Sequence, residues 1–168
     1  NRDIENPPVN EGYRTKYLWE EILHPDSILD ILQNFVHLAN EEEYFFNEKT
    51  QKIDTKKSEK LIFPRYHQLN LIKKFRSQIK KDGVGNNYLV QHTTGSGKSY
   101  SIGWLSHTLT SLYQKDGDTK RMFDSIIVVT DRKVLDNQLQ KTIDDLKKNK
   151  GVVYPVEKGS SDLKKFIE

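Results

Sequence analysis

Residues 92–99 read HTTGSGKS, and this run constrains the chain more than any other. It follows an apolar stretch, Tyr88–His92, that reads as a short buried strand. It precedes a helical pattern over 98–114 with Ile102, Leu105, Leu109 and Leu112 turned inward. Strand, glycine-rich turn and helix start form the setting in which a backbone can wrap a phosphate. Gly95 and Gly97 permit a tight turn that brings N–H groups close to phosphate oxygens. The helix start adds the positive end of its dipole. Lys98 offers a point charge to the β- and γ-phosphates, and Ser99 offers a hydroxyl to Mg²⁺. Thr93, Thr94 and Ser96 line the loop. ATP with Mg²⁺ is therefore the expected ligand. The general phosphate-loop pattern asks for Gly at position 92, where this chain has His92. His92 reads either as a structural residue behind the loop or as a nucleotide contact.

The pattern around this run predicts an α/β fold. Ile126–Thr130 reads as a second strand. A helix follows over 132–149 with Leu135, Leu139, Ile143 and Leu146 inward, and Val152–Tyr154 reads as a third strand. Ser160 or Ser161 is placed to cap a last helix. Alternating strands and helices imply right-handed βαβ units and a parallel sheet. Upstream, LIFPRYHQ carries a boundary at Pro64, then a helix over 66–81 with Leu69, Ile72, Phe75 and Ile79 on one stripe. Residues 1–12 read as a linker. Two helices are expected next. The first spans 13–24 with Tyr17, Leu18, Ile22 and Leu23 on a stripe. The second is capped by Asp26 or Ser27 and places Ile28, Ile31, Leu32, Phe35, Leu38 and Ala39 at helical spacing. The charge-dense 41–60 reads as a solvated loop or short hairpin. Residues 1–60 thus form a linker and helical connector, and 61–168 form the nucleotide-binding part.

Two further segments bear on function. Gln68 lies upstream of the loop, and its amide can donate and accept at once, which matches the N6 and N7 edge of adenine. The bland alternative is a solvated glutamine. Arg65 and Tyr66 stand where they could flank the base, and a packing role suits Tyr66 equally. VVTDRKVLDNQL, residues 128–139, places Thr130, Arg132 and Lys133 where a strand ends and a helix begins, an edge at which α/β proteins bind ligands. Those groups could hold DNA phosphates, which carry no sequence information. Asp131 is placed to cap that helix.

Composition narrows the remaining classes. There is no cysteine, hence no disulfide framework or thiolate metal site, and the five histidines lack ligand spacing. No apolar run approaches the roughly 18 residues of a membrane span, and no leader opens the chain, so a cytoplasmic protein is expected. A net charge of +3 does not by itself point to nucleic acid.

The order FPRYHQ, NYLVQHTTGSGKS, IIVVTDRKVLDNQL resembles the motor region of the restriction subunit of type I restriction-modification enzymes. The three stretches correspond to that family's adenine-reading Q motif, helicase motif I and motif Ia, over residues 61–168. His at position 92 is ordinary there. The resemblance implies a RecA-like domain of helicase superfamily 2, with a parallel sheet, flanking helices and a preceding helical connector. It implies an incomplete domain, since no DEAH-type acidic motif, second lobe or nuclease is in the sequence. It further implies double-stranded DNA as substrate, with methyltransferase and specificity subunits as partners. ATP binding with little turnover is the expectation for this polypeptide alone. A type III restriction subunit, another superfamily 2 DNA helicase and a nucleotide-binding module without turnover are the alternatives. A small P-loop kinase fits less well, since neither an acceptor-activating acid nor an Arg-rich lid is visible.

Overall fold

The computed structural model describes residues 6–7, 11–115, 119–131, 133–146, 154–156 and 159–167. The chain divides at Pro64 into two units, one over Pro7–Pro64 and one holding the chain from Arg65 onward.

In the first unit a π-helical turn spans Leu18–Ile22, so the helix expected over 13–24 contracts to about its middle. Ile22 is buried, whereas Leu23 is exposed. Helix α1 spans Pro25–Asn34 with Pro25 as its first residue and His24 at the N-cap. Neither Asp26 nor Ser27 occupies the cap position. Proline suits the first helical position because its missing N–H would be unbonded there anyway and its φ is already helical. Helix α1 buries Ile31 and ends at Phe35, which is also buried. Leu38 and Ala39, expected to continue the helix, belong to a strand instead.

That strand, β1 (His37–Asn47), pairs antiparallel with β2 (Lys52–Ile62), His37 opposite Ile62 and Asn47 opposite Lys52. Asn47 shapes the turn. Its side-chain oxygen accepts from the N–H of Lys49 at 3.0 Å and of Thr50 at 3.4 Å. Gln51 closes the turn with φ of 51°. The charge-dense segment is thus a hairpin of 11-residue strands rather than a loop or short hairpin. The segment read as a linker and helical connector therefore carries a long hairpin beside its helices.

In the second unit α2 spans Tyr66–Asp82, α3 spans Lys98–Thr110, α4 spans Lys133–Asp145 and α5 spans Ser160–Ile167. Helix α2 buries Leu69, Ile72 and Ile79 as its periodicity predicts, with Phe75 half-buried. Helix α3 turns a different face inward. Ser101, Gly103 and Trp104 are buried, while Ile102 is exposed and Leu105 and Leu109 are half-buried. The reason is steric. A Cβ on Gly103 would lie 2.7 Å from Leu146 Cδ1 and 3.8 Å from the Ile143 Cα, so the missing side chain is what lets α4 come this close. Against that seam α4 buries Leu139 and Ile143, followed by Leu146 just past its end, whereas Leu135 is exposed. The His107 ring donates from Nε2 to the Ile143 carbonyl at 2.9 Å, which ties the helices once more.

Among the described residues the hairpin is the sole sheet. The expected parallel strands at Tyr88–His92 and Ile126–Thr130 carry no ladder, and neither is buried. Leu89 and Val129 are 95% and 85% exposed. β-Branched and aromatic residues favour strands, but a strand also needs a neighbour to take up its backbone groups. Of the expected third strand, residues 152–153 lie outside the described residues, and Tyr154 is exposed and not in a strand.

Asp145 closes α4 at an electrostatic cost. Partial burial raises its carboxyl above the ordinary value, Lys141 lowers it and Asp144 raises it. The last turn contains no basic residue to complement the helix dipole. A carboxyl raised in the folded state contributes stability at low pH, and that contribution is lost as the pH rises through its folded value. Asp145→Asn should therefore raise the thermal midpoint at neutral pH, with the gain vanishing below about pH 4. Equal midpoints at neutral pH, or a gain that ignores pH, would contradict this.

Candidate phosphate-binding site

The loop before α3 is built from two left-handed glycines. Gly95 and Gly97 both have φ of 80°, a region that costs an L-residue about 1–2 kcal/mol. Gly97 is the N-cap of α3, and its carbonyl accepts from the Ser101 N–H at 3.3 Å. Among the described residues, no hydrogen bond takes up the N–H groups of Gly97, Lys98 and Ser99. Unbonded donors at a helix start are the groups that receive an anion.

Lys98 folds back over this loop. Its Nζ donates to the Thr93 carbonyl at 2.8 Å and to the His92 carbonyl at 3.3 Å. The ammonium thus hangs over the turn, exposed, on carbonyls that a phosphate oxygen would replace. Ser99 follows in the first helical turn and is half-buried. Thr93, Thr94 and Gly95 are exposed, and a Cβ on Gly95 would meet nothing within 4 Å. The loop's outer side is open.

Its inner side is held by the start of α2. Gln68 is 3% exposed. Its Nε2 donates to the Gly97 carbonyl at 3.0 Å and to the Ser96 carbonyl at 3.4 Å, while its Oε1 accepts from the Arg65 N–H at 2.9 Å. Arg65 is the N-cap of α2, so one amide side chain caps that helix and clamps the loop. The neighbouring His67 adds a second clamp, Nε2 donating to the Ser96 carbonyl at 3.0 Å. A carbonyl can only accept, so the ring carries its proton on Nε2. His92 packs edge-on against His67, with ring centroids 5.1 Å apart. Among the described residues the buried Ser96 Oγ and His67 Nδ1 find no hydrogen-bond partner.

The structure therefore brings Gln68, Ser96, Gly97 and Lys98, with Thr93, into one cluster, and Arg65 joins it through its backbone. Gln68 is neither solvated nor turned outward but engaged on the loop itself. His67 joined the cluster without being foreseen. Its place beside Gln68 in the run FPRYHQ is the one sequence signal that could have found it. Among the described residues no hydrogen bond or ion pair links Thr130 or Lys133 to the loop. The Thr130 hydroxyl donates to Asp136 Oδ1 at 3.2 Å, across the start of α4. Lys133 opens α4 and is exposed, and Arg132 lies outside the described residues.

The two glycines separate strain from clamping. Alanine at either must adopt φ of 80°. Only at Gly97 would the new Cβ also approach a side chain, Gln68 Nε2 at 2.7 Å. Gln68 is buried and bonded, so it cannot move aside without losing its carbonyls, each bond being worth about 0.5–1.5 kcal/mol. Gly97→Ala should thus destabilise the chain by about 1 kcal/mol more than Gly95→Ala in a urea titration. Equal losses would mean that Gln68 does not brace the loop.

No match was found among curated proteins or solved structures. Among the described residues no helix is long and apolar enough to cross a membrane. The family model described as SWI2/SNF2 ATPase matches residues 67–167, a span that takes in α2 from its second residue, the glycine-rich loop, α3 and α4. That span is more than half of the chain, so the chain belongs to the SWI2/SNF2 ATPase family, a helicase-like group of superfamily 2 that uses ATP.

Proposed function

We propose that this chain is the ATP-binding start of the DNA-translocating motor of a type I restriction subunit. The observation that carries the nucleotide half of this reading is the cradle of free N–H groups at Gly97, Lys98 and Ser99, under an ammonium already suspended over it. The residues fit Mg·ATP. Lys98 would take the β- and γ-phosphates, Ser99 the metal, and the loop N–H groups the phosphate oxygens between them. The bound metal neutralises phosphate charge when present. What this chain contributes is position: Gln68 and His67 hold the Ser96–Gly97 peptide so that the donors face outward before any ligand arrives. Preformed donors need no reorganisation on binding. Gln68 would read adenine only by exchanging a carbonyl of the loop for the base, which couples recognition of the base to the shape of the cradle.

The DNA half rests on the run TDRKVLDNQL. Arg132 and Lys133 precede or open α4, and their charges do not complement the positive end of that helix. Phosphate contact from them and from the start of α4 would be indifferent to sequence, as a motor requires. In this reading Tyr88–His92 and Ile126–Thr130 become parallel strands of a RecA-like sheet. The partners are double-stranded DNA and the methyltransferase and specificity subunits of a restriction complex.

Titration with a fluorescent ATP analogue and with duplex DNA tests both halves. Lys98→Ala should weaken Mg-nucleotide binding at least about tenfold, a loss of about 1.4 kcal/mol, and leave DNA binding unchanged. Lys133→Ala should weaken binding to unrelated duplexes equally and lower the salt slope by about 1. Nucleotide binding that ignores Lys98, or DNA binding that depends on sequence, would overturn the respective half.

A further inference from the structure

One face of the hairpin is left uncovered by the described residues. In the register of β1 and β2, alternate cross-strand pairs share a face. On one face Ala39 is buried and Asp54, Ser58 and Ile62 are half-buried. On the other, every residue is exposed. That open face is layered along the strands. Leu38 opposite Leu61 forms an apolar layer at the base, at 58% and 62% exposure. Phe46 opposite Ile53 forms another near the tip, at 63% and 71%, with Tyr44 and Thr55 beside it. Between them lie two polar layers, Asn40 with Glu59 and Glu42 with Lys57. Glu42 and Lys57 form an ion pair at 3.6 Å.

A two-stranded ribbon with an open apolar face is marginal in water, so a covering surface would stabilise it. The order of the layers selects the cover. When a second hairpin lies face to face across a two-fold axis parallel to the strands, β1 of one copy lies over β2 of the other. Each residue then meets its own cross-strand partner from the second copy. Glu42 meets Lys57, the Asn40 amide meets the Glu59 carboxylate, Phe46 meets Ile53, and Leu38 meets Leu61. An axis across the strands would instead set Glu42 on Glu42 and Lys57 on Lys57. The charges therefore pick one orientation, and the contact is self-complementary as an isologous interface must be. Aligned packing of two sheets about 10 Å apart accommodates it.

We propose that this hairpin face is a homodimer interface, with a second copy of the chain as its occupant. The account is independent of the nucleotide site. The test is the mass of the full chain in solution by size exclusion with light scattering, with far-UV circular dichroism to confirm folding. The wild type should show twice the chain mass of 19.7 kDa at micromolar concentration. Glu42→Lys and Lys57→Glu should each be monomeric, because like charges then meet across the axis. An equimolar mixture of those two variants should regain the dimer, since each supplies the charges the other lacks. The double exchange on one chain restores both the internal pair and the contact across the axis and should dimerise like the wild type, whereas the mixture, whose chains each carry like charges internally, separates the interface from the internal ion pair. Phe46→Ser should be monomeric, and it provides a reading should a charge variant fail to fold. A monomeric wild type, single variants that dimerise unchanged, or a mixture that stays monomeric would each overturn the proposal, the first leaving the face to a different partner.

Discussion

One buried amide organises the glycine-rich loop and the helices around it. Gln68 reaches from the first turn of α2 to carbonyls 28 and 29 residues further on, and it bonds the N–H of Arg65 at the same time. A buried amide of this kind is costly unless its groups are satisfied, and here both ends are engaged. It follows that helix start and phosphate loop are positioned together. His67 reinforces the same peptide from the adjacent position. Gly97 must be glycine twice over, once for its φ of 80° and once because Gln68 occupies the space of a Cβ. The loop is thus braced from within, and its free donors and the ammonium of Lys98 are left to the outer side.

Behind the loop, α3 transmits this placement to α4. The contact depends on what α3 lacks at Gly103, where α4 brings Leu146 within 2.7 Å of the missing Cβ. Trp104 beside it is 2% exposed and stacks at a tilt on Tyr100, ring centroids 5.6 Å apart. Full burial of a large apolar side chain contributes about 1.5–3 kcal/mol, so Trp104, Leu139, Ile143 and Leu146 are the main hold on α4. Through that helix the start of the TDRKVLDNQL run is fixed in the same unit as the cradle.

How much could be read from residue order follows from where the signal lay. Helix α2 was legible at both ends, because Pro64 sets its start and one clean stripe runs along it. The loop was legible because its residue types have few other uses together. The inward face of α3 was misread, since Ile102, Leu105 and Leu109 share one stripe while Tyr100 and Trp104 lie on the other side, so apolar residues occupy both faces. A glycine decided it by allowing close approach, which apolar counting cannot see. The hairpin was half legible. Its strands are rich in charged residues on both faces, so no alternation of apolar and polar residues marks β1 and β2 in the sequence, and cross-strand pairs such as Glu42 with Lys57 accompany its register instead. The parallel strands anticipated at Tyr88–His92 and Ile126–Thr130 show the reverse case. Composition suits them to strands, but ladder formation depends on neighbours that local sequence does not describe.

The central claim is that the N–H groups of the loop and of the α3 start are a preformed cradle, braced by Gln68, for the phosphates of ATP. Amide hydrogen exchange across residues 93–101, with and without Mg·ATP, tests it most directly. The account predicts that Mg·ATP slows exchange at Gly97, Lys98 and Ser99, that adenosine does not, and that Gln68→Leu speeds exchange there before any ligand is added. Protection confined to other segments, or a Gln68→Leu loop that exchanges like the wild type, would contradict it.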